Sequence, residues 1–392
     1  MISRNYIACE TCDQNHILRI QVGRHEFQDH TFDCTNCGEE IKVRMHCYKE
    51  TASTSLELLE NCKQSEYNEG NVINLSPDFL IKEGDAHLDD IFPAIELIRS
   101  LPKATESPSF KSVEEMTEFY KNYKSLPQLW KTVKKGWTLT KSGNEKLAKT
   151  ILSEYKPDGY EGPPKLNHVV FDFCSRICHP LRHDIFESIG LEAESARKNH
   201  EEEYKNLIDY IKTELKNESM EKYLEIFKEY FSAFDDFEQT LVYAQYNIAL
   251  SDNQKATSCN FSKTKQFYGN AFETLTSNLT TLACLNNVAN GRSYDKFERM
   301  NLKQYKKLDK ASRIGPLKSN AQLAIFESCL KSEIRNASHH SSMKYSKGLI
   351  TYRSGGNGAE RTINYSEYLL LCNEIIIFIS SLLKLELAMT FE

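Results

Sequence analysis

The sequence predicts a mainly α-helical protein preceded by a small β module. Three observations lead there. Glycine (16) and proline (10) are scarce among 392 residues, which argues against a turn-rich β architecture or a long flexible linker. Beyond residue 165, apolar residues recur every three or four positions, the spacing of a buried helix face. Six of the twelve cysteines fall within the first 62 residues, close to short runs with the alternating, β-branched character of strands. The length allows two or three domains, read as a β module over 1–50, a helical connector region over 51–164 and an all-α domain over 165–392.

A composition of 40% hydrophobic and 27% charged residues excludes a disulfide-stapled miniprotein and a wholly disordered chain. The net charge is −6, so any contact with nucleic acid has to come from a local basic patch. The N-terminus, Met-Ile-Ser-Arg-Asn-Tyr-Ile-Ala-Cys, has no apolar stretch of signal-peptide length. The most apolar segment, Leu369 to Met389, is interrupted by Asn373, Glu374, Lys384 and Glu386 and is expected to be a buried helix, with no membrane contact. A cytoplasmic location with reduced thiols follows as the expectation.

Cys9-x2-Cys12 is followed after 21 residues by Cys34-x2-Cys37. Two intervening residues let both thiolates of a knuckle face one ion, and two knuckles complete a tetrahedron. His16 to Val22 and Glu39 to Arg44 read as the accompanying strands, and Gly38 as a turn residue. These residues resemble a zinc ribbon over about 5–50. The resemblance implies a structural Zn2+ held by Cys9, Cys12, Cys34 and Cys37, with no open coordination position for chemistry. His46 and Cys47 are possible substitute ligands. His25, His30, Arg19, Arg24 and Arg44 are a candidate face for nucleic acid or protein.

In the middle region, Leu56 to Leu59 and Ile91 to Leu101 are short apolar patches in a polar, proline-punctuated connector. Ser112-Val-Glu-Glu115 is a capping box opening a helix with Met116, Phe119, Tyr120 and Tyr123 on one face, and helical pieces surround Trp130 and Trp137. Pro157 to Pro164 marks a boundary. Cys174-x3-Cys178-His179-x3-His183 has ligand types at helical spacing, but Pro180 and the apolar neighbours favour buried structural thiols. Two long helices are expected over about 192–217 and 219–250, with acidic faces in solvent.

The C-terminal part carries the chemistry. Ser319-Asn-Ala-Gln322 reads as a helix start, and the stripe Leu323, Phe326, Leu330, Ile334 runs into Arg335-Asn-Ala-Ser-His339-His340. Asn364-Tyr-Ser-Glu367 caps a final apolar helix. The segment Lys296 to Lys318 holds eight Lys/Arg against Glu298 and Asp309, and no acidic residue lies between Arg335 and Tyr352. In an acidic protein such a concentration suits phosphates.

Arg335, Asn336 and His340, with four residues between Arg and His, resemble the signature of the HEPN superfamily of α-helical ribonucleases and toxins, over about 220–392. The resemblance implies a HEPN-like helical bundle, a homodimer with a composite Arg/His site, and metal-independent RNA cleavage to a 2′,3′-cyclic phosphate and a 5′-hydroxyl. Histidine titrates near neutral pH and serves as general base or acid. The guanidinium suits the charged phosphorane, and Asn336 orients the phosphate or the histidine. The histidine is doubled: His340 has the family spacing, and His339, one helical turn from Arg335, is its support or substitute. A toxin or anti-phage (abortive infection) role, restrained by a trigger or a regulatory protein partner, is implied by the resemblance alone. The competing expectations are a non-catalytic helical module that binds nucleic acid or protein through the ribbon, and a zinc-anchored scaffold. No P-loop, GxGxxG or Ser-His-Asp arrangement is present.

Overall fold

Strand β1 (Ile2–Cys9) pairs antiparallel with β2 (Asn15–Gln21), and the turn between them carries Cys12 and the left-handed Asp13. A short strand, β6 (Cys62–Gln64), joins the outer side of β1, and β7 (Asn71–Leu75) runs parallel to β2, giving the order β6-β1-β2-β7. A second sheet is formed by β3 (Phe27–Asp33), β4 (Glu40–Tyr48) and β5 (Ser53–Glu60). Ile7, Leu18, Ile20, Ile41, Val43, Met45 and Leu75 form the β core. This is a computed structural model, and it describes every residue except 24, 49, 83–86, 103–123, 158–159, 258–259, 340–341, 355–357 and 392.

The β region therefore extends beyond residue 50. Residues 53–75 do not form a helical connector: Leu56 and Leu58 alternate with polar neighbours and pair with Met45 and Val43 of β4. That period of two is a half-buried strand. A further short strand, β8 (Ile81–Lys82), pairs with β9 (Gln254–Lys255), which lies between helices of the C-terminal part. Helix α1 (Pro93–Ser100) follows β8, and the capping box at Ser112 lies outside the described residues.

Helices α2 (Leu126–Lys141) and α3 (Glu145–Leu152) precede the proline-rich boundary. Beyond it come α4 (Leu166–Cys178), α5 (His183–Asn199), α6 (Glu201–Tyr210), α7 (Lys216–Ser232) and α8 (Phe234–Tyr246). The two long helices expected here are broken. His200 leaves helical geometry at φ −141°, a π-helical turn spans Ile211–Leu215, and Ala233 breaks again at φ −120°. The apolar positions at helical spacing still face the core: Tyr223, Phe227 and Phe234 are buried, and Phe231 packs partly buried against them.

The remaining helices are α9 (Phe261–Thr264), α10 (Phe267–Ala289), α11 (Leu302–Tyr305), α12 (Ala321–Ala324), α13 (Ser332–His339) and α14 (Tyr365–Thr390). Before α14 lies a small sheet of β10 (Lys344–Ser346), β11 (Leu349–Arg353) and β12 (Glu360–Asn364). The stripe from Leu323 to Ile334 is not one helix. Tyr268 holds the chain out of helical form, its hydroxyl donating to the Cys329 carbonyl at 2.7 Å and accepting from the Lys331 amide at 2.7 Å.

Helix α14 is the centre of the bundle and packs on α4, α5, α8 and α10. Asn364 and Glu367 form its capping box. By length and composition it could cross a membrane, but 83% of its apolar window is buried inside the protein. The polar residues that interrupt it have partners there. Asn373 accepts from the Tyr230 hydroxyl at 2.6 Å and donates to Phe237 O and Thr240 Oγ1. Lys384 lies over the rings of Phe186 and Phe171, and Glu386 accepts from Thr281 at 2.6 Å.

Candidate functional site

Strand ends place the four N-terminal cysteines. Cys9 closes β1, Cys12 sits in the turn after it, and Cys34 and Cys37 occupy the turn between β3 and β4, where Gly38 takes φ +70°. Their sulfur atoms all lie within 4.8 Å of one another. Cys9 and Cys37 are 3.8 Å apart, and Cys12 and Cys34 are 3.6 Å apart. Thiolates about 2.3 Å from one tetrahedral ion stand roughly 3.8 Å apart, so these two spacings match edges of such a site, and the four clustered sulfurs can hold a metal ion such as zinc. Hydrogen bonds from the Asn36 side chain and the Gln14 backbone lower the Cys12 thiol, while burial raises Cys34 and the neighbouring thiols help to raise Cys37, so the four titrate as one cluster.

Two neighbours that the spacing of cysteines did not point to complete this corner. His16 on β2 is buried, with Nε2 at 3.4 Å from Cys34 Sγ. Asn61, which takes φ +56° after β5, faces Cys9 at 3.9 Å and accepts from Thr11 at 2.8 Å. The substitute ligands are elsewhere: Cys47 points to Gln28 and His46 to Glu57.

Among the described residues, the groups expected to make a cationic face on this module are buried or paired within the protein. Arg19 is buried, donating to the carbonyls of His87 and Asp90. Arg44 is paired with Asp29, and His25 with Asp235 and Glu238. His30 is buried against Thr257. Arg24 lies outside the described residues. These groups attach the β region to the helices or tie its strands together. Cys174 and Cys178 are buried thiols, Cys178 resting 3.6 Å from Ser381 Oγ, and no second metal cluster occurs among the described residues.

Helix α13 carries the Arg-Asn…His motif. Ile334, Ala337 and Ser338 face inward onto α10, leaving Arg335 and Asn336 half-buried and His339 exposed. His340 lies outside the described residues. Gly269 permits the approach: a Cβ there would come within 2.9 Å of Ser338 Oγ and 3.1 Å of His339 Nε2. Ser338 Oγ also donates to the Lys265 carbonyl at 2.7 Å.

Arg335 Nε donates to Glu273 Oε1 at 2.8 Å, Nη2 donates to the same oxygen, and Nη1 donates to Asn336 Oδ1 at 2.8 Å. The other Glu273 oxygen is 3.9 Å from Lys310 Nζ, which also contacts Ser277 Oγ. One carboxylate thus faces two cations. Burial pulls the Lys310 ammonium below its usual range. One turn back on α10, Asn270 donates to both oxygens of Glu229 at 3.0 Å, and burial raises that carboxyl.

Lys310 closes the inner end of the basic segment, in which Lys296, Arg299, Lys303, Lys306 and Lys307 are exposed. Of these cations, Lys310 is the one that reaches Glu273, the partner of Arg335. Glu273 and Lys310 were not singled out by the motif. Glu273 lies 62 residues from Arg335, and only folding brings it there.

No family model matches the chain, and no curated protein or solved structure is significantly similar to it.

Proposed function

We propose that the protein is a metal-independent endoribonuclease of the HEPN type whose N-terminal cysteines hold one structural zinc ion. The observation that carries this reading is the solvent-reachable grouping of Arg335, Asn336 and His339 on one short helix, with Lys310 beside them and one carboxylate, Glu273, facing both cations. Such a grouping attracts a phosphate and supplies a proton-transfer group beside it.

In this reading a histidine takes the proton from a ribose 2′-hydroxyl, and the oxygen attacks the adjacent phosphorus. The departing 5′-oxygen is protonated, leaving a 2′,3′-cyclic phosphate and a 5′-hydroxyl. His340 is the assigned histidine, with His339 in support. Arg335 must exchange Glu273 for the phosphate as negative charge builds, while Asn336 holds its orientation. A homodimer that sets two motifs face to face, a cytoplasmic location and a toxin or anti-phage defence role belong to the same proposal. The four thiolates replace a core too small to hold the knuckles together.

A second reading, a non-catalytic helical module that binds nucleic acid, is favoured by the occupied state of Arg335. The deciding experiment incubates end-labelled RNA with wild type, Arg335→Ala and His340→Ala, with and without EDTA. Cyclic-phosphate products that persist in EDTA and vanish in both variants support the nuclease. RNA binding without cleavage, and without toxicity dependent on His340, supports the binding module.

A further inference from the structure

His16 is a buried imidazole beside the cysteine cluster, at 1% exposure. Its strand, β2, is paired on both sides, and His16 stands opposite Ile7 of β1 and Asn71 of β7. Asn71 in turn donates to Thr35 Oγ1 of the second knuckle at 2.7 Å. The Phe32 ring meets the imidazole edge to face, with centroids 6.0 Å apart. These contacts fix the ring at the knuckle, where Nε2 lies 3.4 Å from Cys34 Sγ, within reach of an N–H···S hydrogen bond.

What each ring nitrogen faces decides where the proton sits. Nδ1 is buried and has no hydrogen-bond partner among the described residues. A proton on Nδ1 would leave a buried N–H unsatisfied and turn the Nε2 lone pair toward the lone pairs of a thiolate. A proton on Nε2 gives the thiolate a donor and leaves only an acceptor without a partner, so this tautomer costs less. The backbone amides of Asn36 and Cys37 also donate to Cys34. Four thiolates around a divalent ion carry surplus negative charge, and Cys9 and Cys34 are buried. Donors to sulfur offset the loss of water around that charge.

We propose that His16 belongs to the metal centre as a positioning residue: its Nε2–H donates to the Cys34 thiolate, orients that sulfur for the ion and lowers its reactivity toward electrophiles. The ring is not itself a ligand, because the four sulfurs fill a tetrahedral site. A hydrogen-bond partner behind a ligand changes metal affinity by about 10–100-fold. Sharing sulfur electron density with the N–H makes the thiolate a poorer nucleophile. The bond also joins the two sheets, since His16 is on β2 and Cys34 follows β3. The inference rests on the zinc reading of the four cysteines and is independent of the ribonuclease.

The test loads the full wild-type chain with NMR-active cadmium and records the imidazole N–H protons. A scalar coupling from the metal to the His16 Nε2 proton, carried through Cys34 Sγ, is expected, with ring nitrogen shifts of the Nε2–H tautomer. Because it is read in wild type, this outcome does not depend on the folding of a variant. Zinc affinity, measured by competition with a chromophoric chelator, should fall about 10–100-fold in His16→Phe and less in His16→Gln, which keeps an N–H donor. In the zinc-loaded His16→Phe chain, iodoacetamide should modify Cys34 sooner than in wild type, as mapped by mass spectrometry. A chain that binds neither zinc nor cadmium through the four thiols overturns the zinc reading and this inference with it. Metal held by all four thiols without coupling to His16, or with affinity and Cys34 reactivity unchanged in His16→Phe, overturns this inference alone. A one-bond coupling that marks a His16 nitrogen as a ligand also overturns it.

Discussion

Glu273 holds the guanidinium of Arg335, with Nε at 2.8 Å from Oε1, while its other oxygen faces Lys310 at 3.9 Å. Arg335 and Lys310 keep 32% and 27% of their side-chain surface exposed, so a phosphate arriving from solvent can reach them and compete with Glu273 for the guanidinium. Glu273→Gln removes the competing charge and should tighten RNA binding roughly fivefold, about 1 kcal/mol, at low salt. Arg335→Ala should lose binding and lower any cleavage at least about a hundredfold. Fluorescence anisotropy on labelled RNA, read at two salt concentrations, checks the first expectation. Unchanged affinity in Glu273→Gln would mean that RNA does not meet Arg335.

The approach of α13 to α10 depends on Gly269. Alanine there would press on Ser338 and His339, and overpacking of this kind costs about 1–3 kcal/mol. Gly269→Ala should lower the melting temperature and shift the motif without altering any of its side chains. Gly190, in α5, has nothing within 4 Å of its would-be Cβ, so Gly190→Ala should stabilise by up to about 1 kcal/mol through helix propensity. Thermal melts of both variants give the comparison, and equal effects would contradict the close helix contact.

Metal content tests the cysteine corner directly. Elemental analysis should find one zinc per chain in wild type and a large loss in Cys34→Ser, because three thiolates and a hydroxyl bind zinc less tightly. The helical bundle has its own core around α14, so far-UV helical signal should survive while the β region becomes sensitive to protease. A wild-type chain purified with no metal, and a Cys34→Ser chain as protease-resistant as wild type, would remove the structural role.

The cysteine cluster and the last helix were readable because their information is local. Two residues separate each cysteine pair, and Asn364 caps α14 with Glu367 three positions on. The β region was underestimated because its pairings are distant: β7 joins β2 some fifty residues back, Asn71 opposite His16, and β9 reaches β8 from residue 254. The charges read as a cationic face are engaged instead: Arg19 and His25 meet partners that the chain supplies from elsewhere, and Arg44 meets Asp29 directly opposite it on β3. Arg335 and Asn336 could be picked out by type and spacing, but not that Glu273 and Lys310 would stand beside them.

Two buried groups give stability opposite pH dependences. Burial depresses His30 to about 4, with nearby Asp29 opposing, and it contacts Thr257 of the segment that joins β9 to α9. The fold holds it neutral, so its contribution is complete above about pH 6.5 and is lost as pH falls through that value toward 4. Burial raises Glu386 to about 7. The fold holds it protonated, so stability is highest below about pH 4.5, falls as pH rises toward 7 and then levels off. Glu386→Gln keeps an acceptor for Thr281 and should be more stable than wild type by about 2–3 kcal/mol above pH 7, with the difference vanishing near pH 4.5. His30→Phe should flatten the acid limb, narrowing or reversing any deficit to wild type as pH drops from 6.5 to 4, by at most about 3 kcal/mol. Denaturant unfolding at several pH values measures both. A Glu386→Gln advantage that persists unchanged at pH 4.5 would show that the carboxyl is not protonated in the folded protein.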